Sequence, residues 1–321
     1  MRYRRLGASG LTVSEIGFGA WGIGGLTAGQ TSYGRTDDAR SRAALAGAFA
    51  AGITFYDTAP AYGDGHSEEL IGEAFVSIRT QVIIATKAGL DHFAAAPDFS
   101  PKAIRRSLEG SLRRLRTDYV DLLQLHNPAP ALFASRPESY GALEDLVREG
   151  KARAFGVSVK SATDAVTILA GHYVPSVQVN LNMLDVRAVE VGLLALADTR
   201  GVGVIARTPL CFGFLSGAVT AATSFPEGDH RHLWSRAQVD RWAEGARTTY
   251  AAAGAPDSQT MTQVALRFPL SFGAVSSTIP GILSPDEVAE NAMASDFGPL
   301  PEDARDRVVA LHKVTDWFLR A

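Results

Sequence analysis

The sequence predicts an α/β fold of the (β/α)8 barrel type, in which eight parallel strands alternate with helices. Eight short runs rich in Val and Ile are bounded by Gly, Asp, Pro or Asn, as buried parallel strands are. A stretch with helical periodicity or helix-capping residues follows each run. An open, doubly wound sheet gives the same alternation and is the structural alternative. The predicted strands are 13–19, 53–56, 82–86, 120–125, 154–157, 177–179, 202–206 and 274–279.

The helices between these strands carry recognisable start and stop signals. Ser100 precedes Pro101 and Ser284 precedes Pro285, which is an N-cap followed by proline at the first helical position. Gly171, like Gly150, stands where a C-cap is expected. The predicted helices are 38–51, 67–78, 101–116, 137–150, 161–170, 187–199, 258–270 and 285–294.

Three segments fall outside the eight units. Residues 2–13 predict a small β-hairpin that would plug one end of the barrel, and residues 302–319 predict a last amphipathic helix. Residues 211–250 form a long insert after the seventh strand, with a helix expected over 236–252. A chain of 321 residues has room for two domains, but barrels run to about 250 residues or more as one domain. Without a linker or repeat, we expect one domain over 1–321.

Composition excludes several classes of protein. Hydrophobic residues make up 46% of the chain and charged residues 20%, which excludes a disordered protein. The net charge is −3 and no block of like charges is present, so we expect no nucleic-acid partner. The single cysteine, Cys211, excludes an internal disulfide, and we expect no metal site. No apolar stretch is long enough to span a membrane and no signal-peptide core follows the basic N-terminus, so we expect a cytoplasmic protein. The oligomeric state stays open.

Residues 17–22 match the pattern G-x-G-x-x-G after a predicted strand. In a dinucleotide-binding fold of the Rossmann type, a helix opens at the last glycine. Here the next residues include Gly24 and Gly25, which cannot begin a stable helix. We therefore interpret this segment as a loop at a strand end.

Ionisable side chains follow three of the predicted strands. Asp57, Lys87 and His126 each come directly after an apolar run. Alone, each has an ordinary explanation: a helix N-cap, a surface lysine and a core histidine. The carboxyl ends of the strands in a barrel all point to one mouth, so the three side chains are expected to meet there. Tyr62 stands on the loop beyond Asp57 and can reach the same mouth.

These four residue types suit acid–base chemistry at a carbonyl. A lysine ammonium beside Tyr62 would stabilise the phenolate, and Asp57 would keep that lysine charged and oriented. His126 would hydrogen-bond the substrate oxygen. The arrangement is typical of carbonyl reduction or alcohol oxidation, and it needs a separate hydride donor because none of the four residues supplies one.

With these residues in place, the sequence resembles the aldo-keto reductase superfamily over nearly its whole length. The resemblance implies a (β/α)8 barrel, an extended nicotinamide coenzyme, and hydride transfer to a carbonyl with Tyr62 as the general acid. It also implies that Asp57 and Lys87 tune Tyr62 and that His126 orients the carbonyl. The segments that carry it are IGFG at 16–19, FYDTAPAYG at 55–63, TK at 86–87, LQLH at 123–126, GVS at 156–158, QVN at 178–180, PL at 209–210, IPG at 279–281 and EN at 290–291.

The resemblance also implies coenzyme-binding residues. Ser158 and Gln178 match residues that hold the nicotinamide carboxamide, whereas Val159 replaces an asparagine that many members carry there. Arg207 stands where many members have an aromatic residue stacked on the nicotinamide ring, and a planar guanidinium can also stack. The loop over the pyrophosphate matches Leu210, Phe214, Leu215 and Gly217, and the segment around the adenosine matches Gly281, Ser284, Glu287, Glu290 and Asn291.

The substrate and the coenzyme type are less constrained. We expect Trp21 and Phe93 at the rim of a pocket for a small aldehyde, ketone or keto-sugar. NADP(H) is the expected coenzyme, but Glu287 and the lack of a nearby Lys or Arg leave NAD(H) possible. A non-catalytic coenzyme-binding subunit, like the potassium-channel β subunits of the same superfamily, is the alternative function.

Other candidate residues have ordinary explanations. We interpret Cys211 as a small apolar filler and Glu68 as structural. His230 and His232 are interpreted as solvated.

Overall fold

A computed structural model of the protein describes residues 1–27, 32–135, 137–256 and 258–319. The chain begins with an antiparallel hairpin of β1 (Tyr3–Arg5) and β2 (Thr12–Ser14). Leu6, Leu11 and Val13 of this hairpin are buried and pack against interior residues of the barrel strands. The backbone N–H of Ala8 donates to the Gly201 carbonyl, 2.8 Å away, two residues before a barrel strand begins. The hairpin therefore closes the amino-terminal end of the barrel, as predicted.

Eight parallel strands form the barrel, and their order in the sheet follows their order in the chain. Bridges from Ile16 to Thr278 and from Gly19 to Gly281 join the first and last strands. This closure rules out the open, doubly wound sheet. The strands are β3 (Phe18–Gly19), β4 (Phe55–Asp57), β5 (Ile83–Ala88), β6 (Val120–His126), β7 (Ala152–Ser158), β8 (Ser176–Asn180), β9 (Gly203–Arg207) and β10 (Val275–Ile279).

Helices connect the strands and cover the outside of the barrel. Ser100 and Ser284 cap their helices as predicted, each accepting a hydrogen bond from a first-turn N–H. The helices are α1 (Asp38–Ala50), α2 (His66–Phe75), α3 (Pro101–Arg114), α4 (Ala131–Ser135), α5 (Pro137–Arg148), α6 (Ala162–Gly171), α7 (Arg187–Glu190), α8 (Leu193–Arg200), α9 (Arg236–Ala253), α10 (Met261–Leu270), α11 (Pro285–Phe297) and α12 (Glu302–Leu311).

Three predicted elements differ from the structure. The predicted strand 13–19 is divided, because Thr12–Ser14 pairs within the hairpin and Phe18–Gly19 pairs with β4 in the barrel. The predicted helix 187–199 breaks at Gly192, which adopts a left-handed conformation with φ of 73°. The last helix ends at Leu311, and the following residues fold back onto α9, where Gln238 donates to the Trp317 carbonyl at 2.8 Å.

The insert after β9 begins with a distorted 3-10 turn and contains α9, at the position where the sequence predicts a helix. Within the described ranges, no helix is long and apolar enough to cross a membrane. The same residues contain no cluster of three or more His, Cys, Asp or Glu that could hold a metal ion.

Candidate active site

The carboxyl ends of the barrel strands place the predicted ionisable residues at one mouth. Asp57 ends β4, Lys87 lies near the end of β5, and His126 ends β6. Strand register then sets Ser158 of β7 beside both His126 and Gln178 of β8. The short strands form here because their Val, Ile and Leu side chains are buried. The side chains available for chemistry are therefore those at the carboxyl ends of the strands.

Lys87 is fully buried and forms the centre of the site. Its Nζ atom donates to Asp57 Oδ1 at 2.6 Å, to the Thr58 carbonyl at 2.9 Å and to Tyr62 Oη at 3.1 Å. Burial by itself lowers the pKa of Lys87, but Asp57 and Tyr62 outweigh that effect and the pKa is raised. The ammonium is therefore charged at neutral pH and fixed by three acceptors.

The Asp57 carboxylate is also fully engaged. Its Oδ1 accepts from Lys87, and its Oδ2 accepts from Gln178 at 2.7 Å and from Gln124 at 3.0 Å. No role for Gln124 was predicted from the sequence. A signal for it was present, because residues two apart on a strand face the same side and Gln124 lies two before His126.

Tyr62 is held by a tight turn after β4. Gly63 adopts a positive φ of 64°, and a Cβ atom at this position would overlap the backbone of Gly24. Only glycine fits both the conformation and the contact. The loop after β3 thus packs directly on Gly63 and, through it, fixes the phenol of Tyr62 against Lys87.

His126 is buried beside Tyr62, and the two ring centroids lie 6.1 Å apart at an interplanar angle of 89°. Burial, followed by the positive charges of Lys87, Arg207 and Lys160, holds the pKa of His126 well below its usual range. The imidazole is therefore neutral at pH 7, so it acts on a ligand through hydrogen bonding rather than charge.

Arg207 ends β9 and lines the same cavity. Its Nε atom donates to Asn180 Oδ1 at 2.9 Å, and its Nη2 atom donates to the Val159 carbonyl at 2.8 Å. A longer contact of 3.4 Å joins Nη1 to Ser158 Oγ. Burial lowers the pKa of the guanidinium, yet a group with an ordinary pKa of 12.5 stays charged.

A cavity of about 630 Å³ extends from these residues to α11. Its walls include both predicted substrate residues, Trp21 and Phe93. Of the predicted coenzyme-binding residues, those in the cavity wall are Gln178, Arg207, Leu210, Gly281, Glu287, Glu290 and Asn291. Those outside it are Ser158, Phe214, Leu215, Gly217 and Ser284, of which Ser158 donates to Gln178 Oε1 at 3.1 Å.

The loop after β9 turns different residues inward from those that sequence analysis named. Phe212 and Gly213 have positive φ angles of 57° and 100°. This twist exposes both residues to the cavity and buries Phe214 and Leu215 in the core, where Phe214 packs 5.4 Å from the Trp242 ring. The sequence offered no periodicity from which such a distorted turn is readable.

The outer end of the cavity is formed by the start of α11. Ser284 Oγ accepts from the Glu287 backbone N–H at 3.4 Å, and Glu287 Oε2 accepts from the Leu283 N–H at 2.6 Å. Glu287 therefore brings a negative charge to this end. Arg231 of the insert also lines the cavity, but it is paired with Asp229 at 2.7 Å.

The interpretation of His230 as solvated is wrong. Its side chain is 14% exposed, and its ring lies 5.0 Å from those of Trp21 and Tyr33. The backbone N–H of His230 donates to the Ser32 carbonyl at 2.9 Å, so the insert meets the loop after β3 beside the cavity. His232 is exposed, in agreement with the prediction.

Comparisons with known proteins identify the family of this chain. A model of the Aldo/keto reductase family matches residues 15–313. Aldo-keto reductase YhdN of Bacillus subtilis is 35% identical over 248 residues, covering 76% of this chain and 72% of that protein. The NADH-specific methylglyoxal reductase of Escherichia coli is 30% identical over 314 residues, covering 93% and 95%.

A solved structure shows the same architecture. The holo form of an aldo-keto reductase from Bacillus halodurans superposes with a TM-score of 0.77 and 28% identity, covering 97% of this chain and 96% of that one. The family match spans the barrel and all four ionisable residues at its mouth. This chain therefore belongs to the aldo/keto reductase family of nicotinamide-coenzyme-dependent oxidoreductases.

Proposed function

We propose that this protein reduces aldehydes, ketones or keto-sugars to alcohols, and catalyses the reverse oxidation, with Tyr62 as the proton donor and acceptor. The observation that carries the proposal is the buried Lys87 ammonium, which joins Asp57 at 2.6 Å to Tyr62 Oη at 3.1 Å at the inner end of the cavity. A phenol that lines a cavity and contacts a fixed cation is suited to general acid catalysis.

The residues present fit a nicotinamide coenzyme. Gln178 and Arg207 offer an amide and a guanidinium at the inner end, and Ser158 lies behind Gln178. The buried Asn291 and the Glu287 carboxylate face the outer end. When bound, the coenzyme supplies the hydride that none of these side chains can provide.

The side chains govern the movement of the proton. As the carbonyl carbon accepts a hydride, its oxygen gains charge and takes the proton from Tyr62 Oη, so a C–H and an O–H bond form while the C=O π bond breaks. Lys87 stabilises the phenolate that remains, and Asp57 keeps the lysine in place. Water then returns a proton to Tyr62. In alcohol oxidation the same phenolate accepts the proton.

His126 and the aromatic walls position the carbonyl. The neutral His126 imidazole offers a hydrogen bond to the substrate oxygen without competing for its proton. The Phe93 ring lies 6.3 Å from that of Tyr62, and Trp21 lines the cavity as well. These flat apolar surfaces suit a substrate with an apolar body and one reactive oxygen.

NADP(H) remains the proposed coenzyme, with a preference over NAD(H) weaker than about a hundredfold. The preference is weak because the usual charged contact to the 2′-phosphate is missing, and one such contact is worth about 1.5–3 kcal/mol. Glu287 lines the outer end and Arg231 is already paired with Asp229, so a 2′-phosphate meets little free positive charge there. The Escherichia coli relative is named NADH-specific, which supports the weak preference.

The test is Tyr62→Phe, assayed with NADPH and 4-nitrobenzaldehyde and then with panels of carbonyls and alcohols. We expect kcat to fall about 10²–10⁴-fold because the ring stays and only the acid is lost. Coenzyme affinity should change little. Near wild-type kcat, under conditions where chemistry limits the rate, would refute the assignment. Wild-type protein that binds coenzyme but turns over no panel member would be the non-catalytic binding subunit instead.

A further inference from the structure

Arg207 is a half-buried cation in the cavity wall, and the described residues provide it no carboxylate within ion-pair distance. Its hydrogen-bond acceptors are the neutral oxygens of Asn180, Val159 and Ser158. Lys87, the fully buried cation of the site, is neutralised by Asp57 at 2.6 Å. A charge that is partly removed from water and has no ion-pair partner is costly, so its presence in a ligand cavity points to the charge of the ligand.

The inner end of the cavity therefore has a net positive charge. Asp57 and Lys87 cancel each other, and His126 is neutral because its pKa lies far below its usual range. Glu287 and Glu290 line the cavity at its outer end, on α11. Asp57 and Asp185 act on Arg207 from a distance, but each is already paired with another cation, Lys87 or Arg187. Arg207 therefore has no counterion of its own, and two good hydrogen bonds fix its plane against the ends of β7 and β8.

We propose that Arg207 makes this site discriminate between the two redox states of the coenzyme, binding the reduced form more tightly than the oxidised form. The inference rests on the proposed function, in which Ser158, Gln178 and Arg207 hold the nicotinamide end. The oxidised nicotinamide ring carries a positive charge and the reduced ring carries none. A fixed guanidinium in a region of low dielectric repels only the oxidised ring.

All other parts of the coenzyme are the same in both redox states. The adenosine, the ribose groups and the pyrophosphate contribute equally to both affinities, so the ratio of dissociation constants isolates the ring. In carbonyl reduction the oxidised coenzyme is a product, and Arg207 therefore favours its release. Where many family members have an aromatic residue, which carries no charge, this chain has a cation.

The test compares the dissociation constants of NADP⁺ and NADPH by titration calorimetry in wild type and Arg207→Gln. The amide of Gln can still donate a hydrogen bond but carries no charge. We expect the ratio Kd(NADP⁺)/Kd(NADPH) to fall at least about tenfold in the variant. Arg207→Met is a second neutral variant with the same expected fall, in case Arg207→Gln does not fold.

Two controls separate charge from shape. Arg207→Lys keeps the charge, so its ratio should stay within about threefold of wild type. The affinity for 2′,5′-ADP, which has no nicotinamide, should change less than about threefold in every variant. An unchanged ratio in a folded neutral variant, or an equal fall in Arg207→Lys, would overturn the role of charge. Wild-type protein that binds neither coenzyme would instead refute the proposed function.

Discussion

Thr86 and Lys87 are neighbours on β5, yet they serve two different buried acids on opposite sides of the barrel wall. Lys87 contacts Asp57 on the inside. Thr86 Oγ1 donates to Glu68 Oε1 at 2.5 Å on the outside, where Arg114 donates to Glu68 Oε2 at 2.7 Å. Both acids are buried and both are paired with a cation.

The difference between the two networks lies in what else they contact. The Glu68 network consists of α2, β5 and α3 joined to one another, and none of its three residues lines the cavity. The Asp57 network ends at Tyr62 Oη, which does line the cavity. A buried ion pair therefore does not identify an active site by itself. An ion pair indicates a candidate active site when it contacts a proton-bearing atom that lines a cavity, as Lys87 contacts Tyr62 Oη.

The largest effect is expected from Lys87→Met. Removing the ammonium leaves the buried Asp57 with only its amide donors and leaves Tyr62 without a cation. We expect the unfolding free energy to fall by about 3–5 kcal/mol and kcat to fall at least about 10³-fold. Urea denaturation and steady-state kinetics measure the two effects.

A double variant separates stability from catalysis at this site. Lys87→Met with Asp57→Asn removes both charges, so it should regain most of the lost stability while kcat stays low. Recovered activity in the double variant would show that the cation is dispensable for catalysis.

Glu68→Gln tests the outer network by the same measurements. It removes the charge that Arg114 and Thr86 share, and we expect a loss of about 1–3 kcal/mol in unfolding free energy because Arg114 is partly exposed. The kcat of the folded variant should stay within about threefold of wild type. A hundredfold loss of kcat would contradict the division between the two networks.

The dependence of the unfolding free energy on pH tests the environment of His126. The folded pKa of His126 is lowered, whereas a histidine in the unfolded chain titrates near 6.5. As pH falls below about 6.5, the unfolded state binds a proton that the folded state does not, so stability is lost. The slope from this group is at most about 1.4 kcal/mol per pH unit. His126→Asn should reduce the slope between pH 6.5 and 5 by up to that amount, measured by urea denaturation.

Because other histidines also titrate in this range, the measured quantity is the difference in slope between wild type and His126→Asn. His230 and His312 have lowered pKa values and His66 a raised one, and all three remain in the variant, so their contributions cancel. Equal slopes in wild type and His126→Asn would show that His126 titrates normally in the folded protein.

The smallest effect is expected at the outer end of the cavity. Glu287→Gln keeps an oxygen acceptor for the Leu283 N–H and removes the negative charge. The ratio of kcat/KM for NADPH to that for NADH should rise about three- to tenfold, because the charge of one half-buried side chain is removed. The measurement uses one carbonyl substrate at fixed ionic strength. A wild-type ratio above a thousand would mean that a cation elsewhere binds the 2′-phosphate.

Much of the inner site was predictable because, in a barrel, the position of a residue along its strand decides whether it lies at the mouth. Once the strands are recognised as apolar runs, the residue that ends each run must lie at the mouth, which locates Asp57, Lys87 and His126. Strand alternation also contained the signal for Gln124. These positions follow from local periodicity, and local periodicity is readable from a single chain.

The sequence by itself determined the barrel, the hairpin plug, the positions of most helices and the residues at the strand ends. Only the tertiary structure decided that Phe212 rather than Phe214 faces the cavity. It also decided that His230 packs against Trp21 and Tyr33. It also decided that Arg207 has no carboxylate partner among the described residues. The reason is physical. Strand ends are fixed by a repeating backbone pattern, whereas positive φ angles and contacts between distant loops depend on packing that no local pattern encodes.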